Sequence, residues 1–165
     1  MLKYFAYGSN LHPARLRKRA PSAEVIGVVQ LVGWHLRFHK RSKDGSGKCN
    51  IIRTDQPTNV VYGVVYEIDP MEKGALDRAE GLGYGYDESR LPIDGYKDVF
   101  CYTASEVDDS LERYTWYQGY VIVGARYHGL PEAYVQGIEI VEGIQDPDEA
   151  RHLTNMQILE GLQRI

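Results

Sequence analysis

The sequence predicts an α+β domain built on a curled or closed sheet with helices at its rim. Two observations carry this expectation. Strand-like segments dominate from Leu2 to Thr103, and helical patterning takes over from Gln118 to Leu162. Thirteen tyrosines and seventeen glycines in 165 residues supply many strands and many turns. The pattern fits a small barrel and an open sheet equally well.

Leu2 to Tyr7, apolar and aromatic, reads as a buried first strand that Gly8-Ser9-Asn10 stops. His12 to Arg19 reads as a short helix with Pro13 in its first turn. Its run Arg15-Leu16-Arg17-Lys18-Arg19 is the only basic cluster, a solvated face with Leu16 packing inward. Repulsion among those charges makes the helix depend on tertiary packing. Glu24 to His39 forms one or two strands, bulged or bent at Gly27 and Gly33. Arg41 to Lys48 is a polar loop leading to a short strand, Cys49 to Thr54, and residues 55–59 turn the chain into Val60 to Ile68, the clearest strand. Asp69-Pro70 opens a helix that ends at Gly81, because a residue before proline avoids helical angles while proline suits the first helical position. Tyr86 to Ile93 and Lys97 to Thr103 form a hairpin turned at Asp94-Gly95. Ser105 to Arg113 is polar and acidic, a loop. Helices follow at Gln118 to Tyr127, stopped by Gly129, at Pro131 to Val141, and from Asp146-Pro147 to Leu162. No boundary interrupts the series, so residues 1–165 are expected to form a single domain.

Composition excludes several classes. Hydrophobic residues at 43% and charged ones at 25% suit a water-soluble globular protein. A net charge of -4, with no recognised binding motif, argues against nucleic acid as a partner. No apolar run approaches ~18 residues and no basic-plus-apolar leader opens the chain, so neither membrane nor secretion is expected, and the cytoplasm is the expected compartment. Cys49 and Cys101 lie outside any CxxC spacing and suggest neither a zinc site nor a disulfide framework. His35 and His39, placed in a strand, sit about 13 Å apart, too far for one ion, and read as structural or surface residues.

The strand-to-helix turn at Gly8-Ser9-Asn10 is the first candidate site. Such a turn leaves backbone N–H groups unpaired and pointing one way, and glycine lets a ligand approach the main chain. The plainer reading is an ordinary turn in which Ser9 or Asn10 caps the helix. Arg15 or Arg19 adds positive potential if either lies near it. The turn lacks the Lys-Ser/Thr pair of a P-loop and the spacing of a G-x-S-x-G nucleophile elbow. A Ser9–histidine hydrolase stands as an alternative, although sequence places no histidine beside that serine. Gly81-Leu82-Gly83-Tyr84-Gly85-Tyr86 is rejected as a dinucleotide loop, since its third glycine comes one place early and it follows a helix.

Three segments together carry a family resemblance. Tyr4-Phe5-Ala6-Tyr7-Gly8-Ser9-Asn10-Leu11 resembles the opening motif of the gamma-glutamylcyclotransferase family. Leu76-Asp77-Arg78-Ala79-Glu80-Gly81 resembles the segment that carries the family's catalytic glutamate, here Glu80. Tyr117, with Gly124-Ala125-Arg126, Gly129-Leu130-Pro131 and Tyr134, resembles its C-terminal helical region. The likeness runs across most of the chain. It implies a small mixed β-barrel with flanking helices, a small-molecule gamma-glutamyl substrate and no cofactor or metal, with monomer and homodimer both open. It further implies that Glu80 is general base and acid, that backbone groups of Tyr7, Gly8, Ser9, Asn10 and Leu11 hold the glutamyl end, and that Tyr117 lines the pocket as a hydrogen-bonder. Periodicity does not select Glu80. Met71, Ala75, Leu76 and Ala79 make the apolar stripe of its helix, and Glu72 lies nearer the centre. Position does support it, because the last helical turn sets the side chain against the partial negative charge of the carbonyl ends, with Tyr84 and Tyr86 close enough to shield it. The glutathione-specific branch carries Tyr-Gly-Ser-Leu at the loop, whereas this chain has Tyr-Gly-Ser-Asn-Leu, which favours gamma-glutamyl amino acids or amines. The rival expectation is a non-catalytic module that binds an acidic metabolite or a protein partner through the same pocket.

Overall fold

The computed structural model describes residues 1–165. The chain runs β1 (Leu2–Ala6), α1 (Pro13–Leu16), β2 (Glu24–Val32), β3 (Trp34–Arg41), β4 (Gly47–Arg53), β5 (Val60–Ile68), α2 (Lys73–Glu80), β6 (Tyr86–Ile93) and β7 (Tyr96–Ala104). Three helices close it: α3 (Thr115–Tyr127), α4 (Glu132–Glu139) and α5 (Glu149–Gln163). No helix is long and apolar enough to cross a membrane.

Five strands form a mixed sheet in the order β2-β5-β1-β7-β6, and β3 with β4 makes a separate two-stranded ribbon. The expected barrel does not close; the sheet is open, with β2 and β6 as its edges. Gly33, at a φ of 86°, turns the chain out of β2, and β3 then takes its ladder from β4 instead of from the sheet. Where a closed barrel would continue the ladder, a side chain intervenes: Asn50 Oδ1 of β4 accepts from the Ala104 N–H at the end of β7, at 2.9 Å. β1 occupies the centre of the sheet, antiparallel to β5 and parallel to β7. Burial on both faces explains its apolar run Tyr4-Phe5-Ala6 and makes the residues that follow it part of the core rim.

Two expected helices differ in detail. The first is only Pro13–Leu16, continuing as turns in which the Arg19 and Ala20 N–H groups both reach Leu16 O at 2.9 Å. Four positive charges in five residues oppose a longer regular helix. The second begins as a 3-10 turn over Pro70–Glu72 before α2. That turn rotates the phase, so Met71 lies 89% exposed and leaves the apolar stripe, while Leu76 remains buried. Gly81, at a φ of 75°, ends α2 as expected of a left-handed cap and fixes Glu80 as its last residue.

Candidate active site

After β1 the chain turns through Gly8-Ser9-Asn10, and the Leu11 N–H closes the turn on Gly8 O at 3.1 Å. His12, and neither Ser9 nor Asn10, caps α1: its Nδ1 accepts from the Ala14 N–H at 3.2 Å. The Asn10 side chain, 3% exposed, is thereby left for other partners. The N–H groups of Gly8, Ser9 and Asn10 find no acceptor within the protein. Leu11 differs from them. Its N–H is engaged in the turn, its carbonyl accepts from the Tyr66 hydroxyl at 2.6 Å, and it stands outside the pocket that the other loop residues line.

Glu80 reaches this loop from the end of α2, with its side chain 15% exposed. Its Oε1 accepts from Asn10 Nδ2 at 2.7 Å and from Arg19 Nη1 at 3.1 Å. Arg19 Nη1 also donates to Asn10 Oδ1 at 2.6 Å, which closes a three-membered network. Asn10 Nδ2 further donates to the Tyr4 hydroxyl at 3.2 Å. All protein hydrogen bonds of the carboxylate therefore fall on Oε1, and Oε2 accepts none. Of the two tyrosines expected to shield Glu80, Tyr86 lines the pocket, but Tyr84 is 79% exposed. Tyr84 sits among Gly81, Gly83 and Gly85, all at positive φ, in a turn that aims it outward.

Gly8, Ser9, Asn10 and Glu80 meet across a narrow chamber. Its walls are Tyr4, Tyr7, Cys49, Tyr86, Tyr102 and Tyr117. Burial raises the phenols of Tyr4, Tyr7, Tyr86 and Tyr117 well above their ordinary pKa, and the charge of Glu80 adds to this at Tyr4 and Tyr86. These walls are neutral hydrogen-bonders at physiological pH. The Tyr86 hydroxyl donates to Cys49 O at 2.5 Å, the Tyr7 hydroxyl donates to Tyr102 O, and the Tyr117 hydroxyl accepts from the Cys49 N–H at 3.0 Å. Burial also pushes the Cys49 thiol up to about 12, so it stands as an inert thiol. No histidine lines the chamber, which leaves Ser9 without the base a serine hydrolase needs. His39 is engaged by Asp109 at 2.8 Å and Asn50 at 2.9 Å, a structural arrangement. A roomier groove between β3, β5 and α4, walled by Phe38, Val60, Tyr134 and Ile138, carries no carboxylate and hence no proton carrier of that kind.

The structure thus brings Tyr7, Gly8, Ser9, Asn10, Glu80 and Tyr117 together and sets Leu11 behind them. Sequence reasoning missed Tyr4, Tyr102 and Cys49 as walls. Alternation in β1 and β7 places the tyrosines on the same face as the loop, but that signal is shared with any core strand.

Residues 60–138 match the sequence model of the AIG2-like family, a span that holds both Glu80 and Tyr117. The gamma-glutamylcyclotransferases of Bos taurus and Homo sapiens are each 29% identical to the chain over 147 residues, covering 84% of it and 78% of the relative. A solved structure described as a gamma-glutamyl cyclotransferase has a TM-score of 0.81 at 25% identity, over 97% of this chain and 98% of its own. Motifs, relatives and backbone agree across most of the chain in their similarity to gamma-glutamylcyclotransferases.

Proposed function

We propose that the chain is a cyclotransferase that converts a gamma-glutamyl amino acid or gamma-glutamyl amine into 5-oxoproline and the free amino acid or amine. The observation that carries the reading is the Glu80 carboxylate facing, across one chamber, the unpaired amides of Gly8, Ser9 and Asn10. Such a substrate brings its own nucleophile, because its α-amine lies within five-membered-ring reach of its γ-carbonyl. The protein has to fold the substrate until the two meet, a large entropic advantage. As the new N–C bond forms, Glu80 takes a proton from the amine. The loop amides then receive either the substrate carboxylate or the developing oxyanion. The old C–N bond breaks as Glu80 returns the proton to the departing amine. Asn10 and Arg19 fix Oε1, which leaves Oε2 as the proton carrier. A neutral Cys49 and a Ser9 without a base fit a reaction that needs no nucleophile from the protein.

Incubation with a panel of gamma-glutamyl dipeptides and amines, followed by mass spectrometry, is expected to yield 5-oxoproline. Glu80→Gln keeps the shape and removes the proton carrier, so turnover should fall at least about a hundredfold while calorimetry still detects substrate binding. Equal turnover by wild type and Glu80→Gln would end this reading.

A further inference from the structure

Beside Glu80 the chamber adjoins a vestibule that ring closure itself does not explain. Ser9, Glu80, Tyr86 and Tyr117 are walls common to both. Arg15, Arg19, Lys40 and Lys48 also line the vestibule. Arg19 pairs with Glu80, and Lys48 pairs with Asp44 at 2.8 Å. Arg15 stacks on the Tyr120 ring at 3.8 Å, yet its buried Nε has no acceptor. Lys40 is the odd one. It is 7% exposed, its ammonium joins none of the protein's ion pairs or hydrogen bonds, and it rests 4.5 Å from the centre of the Tyr86 ring. Glu80, Asp44 and Glu106 attract it and Lys43 repels it, but none stands in contact, and burial pulls its pKa down. A buried ammonium without a counter-ion is costly, so its retention needs a reason. The backbone makes room for it. A Cβ at Gly85 would come within 2.9 Å of Lys40 Cε and 3.1 Å of its Nζ.

We infer that Lys40, backed by Arg15 and Lys48, is an anion subsite for the carboxylate of the departing group, and that it selects gamma-glutamyl amino acids over gamma-glutamyl amines. This rests on the cyclotransferase reading. With the glutamyl end in the chamber and the scissile bond at Glu80, the leaving group extends through the shared walls into the vestibule. A plain amine there leaves Lys40 unpaired. An amino acid places its carboxylate where the ammonium lacks a partner, at charge-assisted hydrogen-bond strength.

The test compares gamma-glutamyl-alanine with its C-terminal amide, which differ only in carboxylate against carboxamide, in wild type, Lys40→Gln and Lys40→Arg. Wild type is expected to favour the acid in kcat/KM by about tenfold or more. Lys40→Gln should erase most of that preference through KM for the acid, and Lys40→Arg should restore it. Equal use of both substrates by wild type, or an unchanged preference in Lys40→Gln, overturns the subsite while 5-oxoproline formation still upholds the cyclotransferase. Formation of no 5-oxoproline from either compound sinks the cyclotransferase reading instead. Calorimetry on wild type then decides the subsite alone, since binding the two compounds equally overturns it.

Discussion

At Gly8 the protein depends on the absence of a side chain. A Cβ there would lie 3.0 Å from Cys49 Cβ and 3.5 Å from both Cys49 Sγ and the Tyr117 hydroxyl. A β-branched side chain would reach further and fill the space in front of the three free amides. Gly8→Val is therefore expected to lower kcat/KM by at least about a hundredfold, with loss of binding. Ser9→Ala, which removes only a hydroxyl without a base, should cost less than about tenfold. Steady-state kinetics on both variants check this, and an inactive Ser9→Ala would restore a nucleophilic serine to consideration. Asn10 shows what a motif conveys and what it withholds. Its presence in the opening motif is legible, but its role depends on Arg19, whose contact requires the turn after α1 to fold back. A basic run in sequence reads as a solvated face, and nothing local singles out its last arginine. Lys40 is hidden in the same way, since a lysine near the end of a strand beside a polar loop is most often exposed.

Among elements, α3 positions the loop by packing directly against it. A Cβ at Gly124 would meet Leu11 Cβ at 2.5 Å and the His12 backbone nitrogen at 2.8 Å. Alanine would improve helix propensity by up to about 1 kcal/mol, whereas overpacking against backbone costs about 1–3 kcal/mol. The clash should win, because backbone yields less readily than a flexible side-chain end. Gly124→Ala is expected to destabilise by about 1–2 kcal/mol and to lower activity as the loop shifts. Gly137 in α4 is the control. Beyond its chain neighbours and its own helix backbone, no atom lies within 4 Å of its would-be Cβ, so Gly137→Ala should stabilise by about 0.5–1 kcal/mol. Urea unfolding of the two variants measures both signs, and the same sign for both would refute the packing argument. The element borders that sequence located well, β5 and the Tyr86–Ile93 strand, are those marked by turn chemistry on both sides. α3 begins at Thr115, before the expected Gln118, because Trp116 and Tyr117 join its buried face and carry no helix-start signal of their own.

Across the whole molecule, the difference between barrel and open sheet is one of hydrogen-bond partners, which strand patterning does not encode. A curled sheet and a closed one bury the same alternating residues, and the choice made at Gly33 is visible only once β3 and β4 have paired. The packing of α5 against α3 within the helical layer rests on a buried carboxylate. Asp146, with its side chain out of solvent contact, accepts from Arg151 Nε at 2.6 Å and Nη2 at 2.7 Å. It also accepts from Trp116 Nε1 at 2.9 Å, joining the start of α5 to the α3 residue that walls the vestibule. Arg151 holds this carboxyl well below the usual carboxylate range, and the Trp116 and Asp148 N–H groups reinforce it against the opposing effect of burial. A folded-state pKa lower than the unfolded one means that the contribution is fully present above the ordinary aspartate value near 3.8 and drains away as pH falls below it. Urea midpoints followed by Trp116 fluorescence, in a Trp34→Phe background, should therefore drop below about pH 4 more steeply in the parent than in Asp146→Asn. The Asn variant, unable to ionise, should be less stable at neutral pH and flatter in acid. Parallel profiles for the two proteins would mean that the acid sensitivity of the helical layer lies elsewhere than in Asp146.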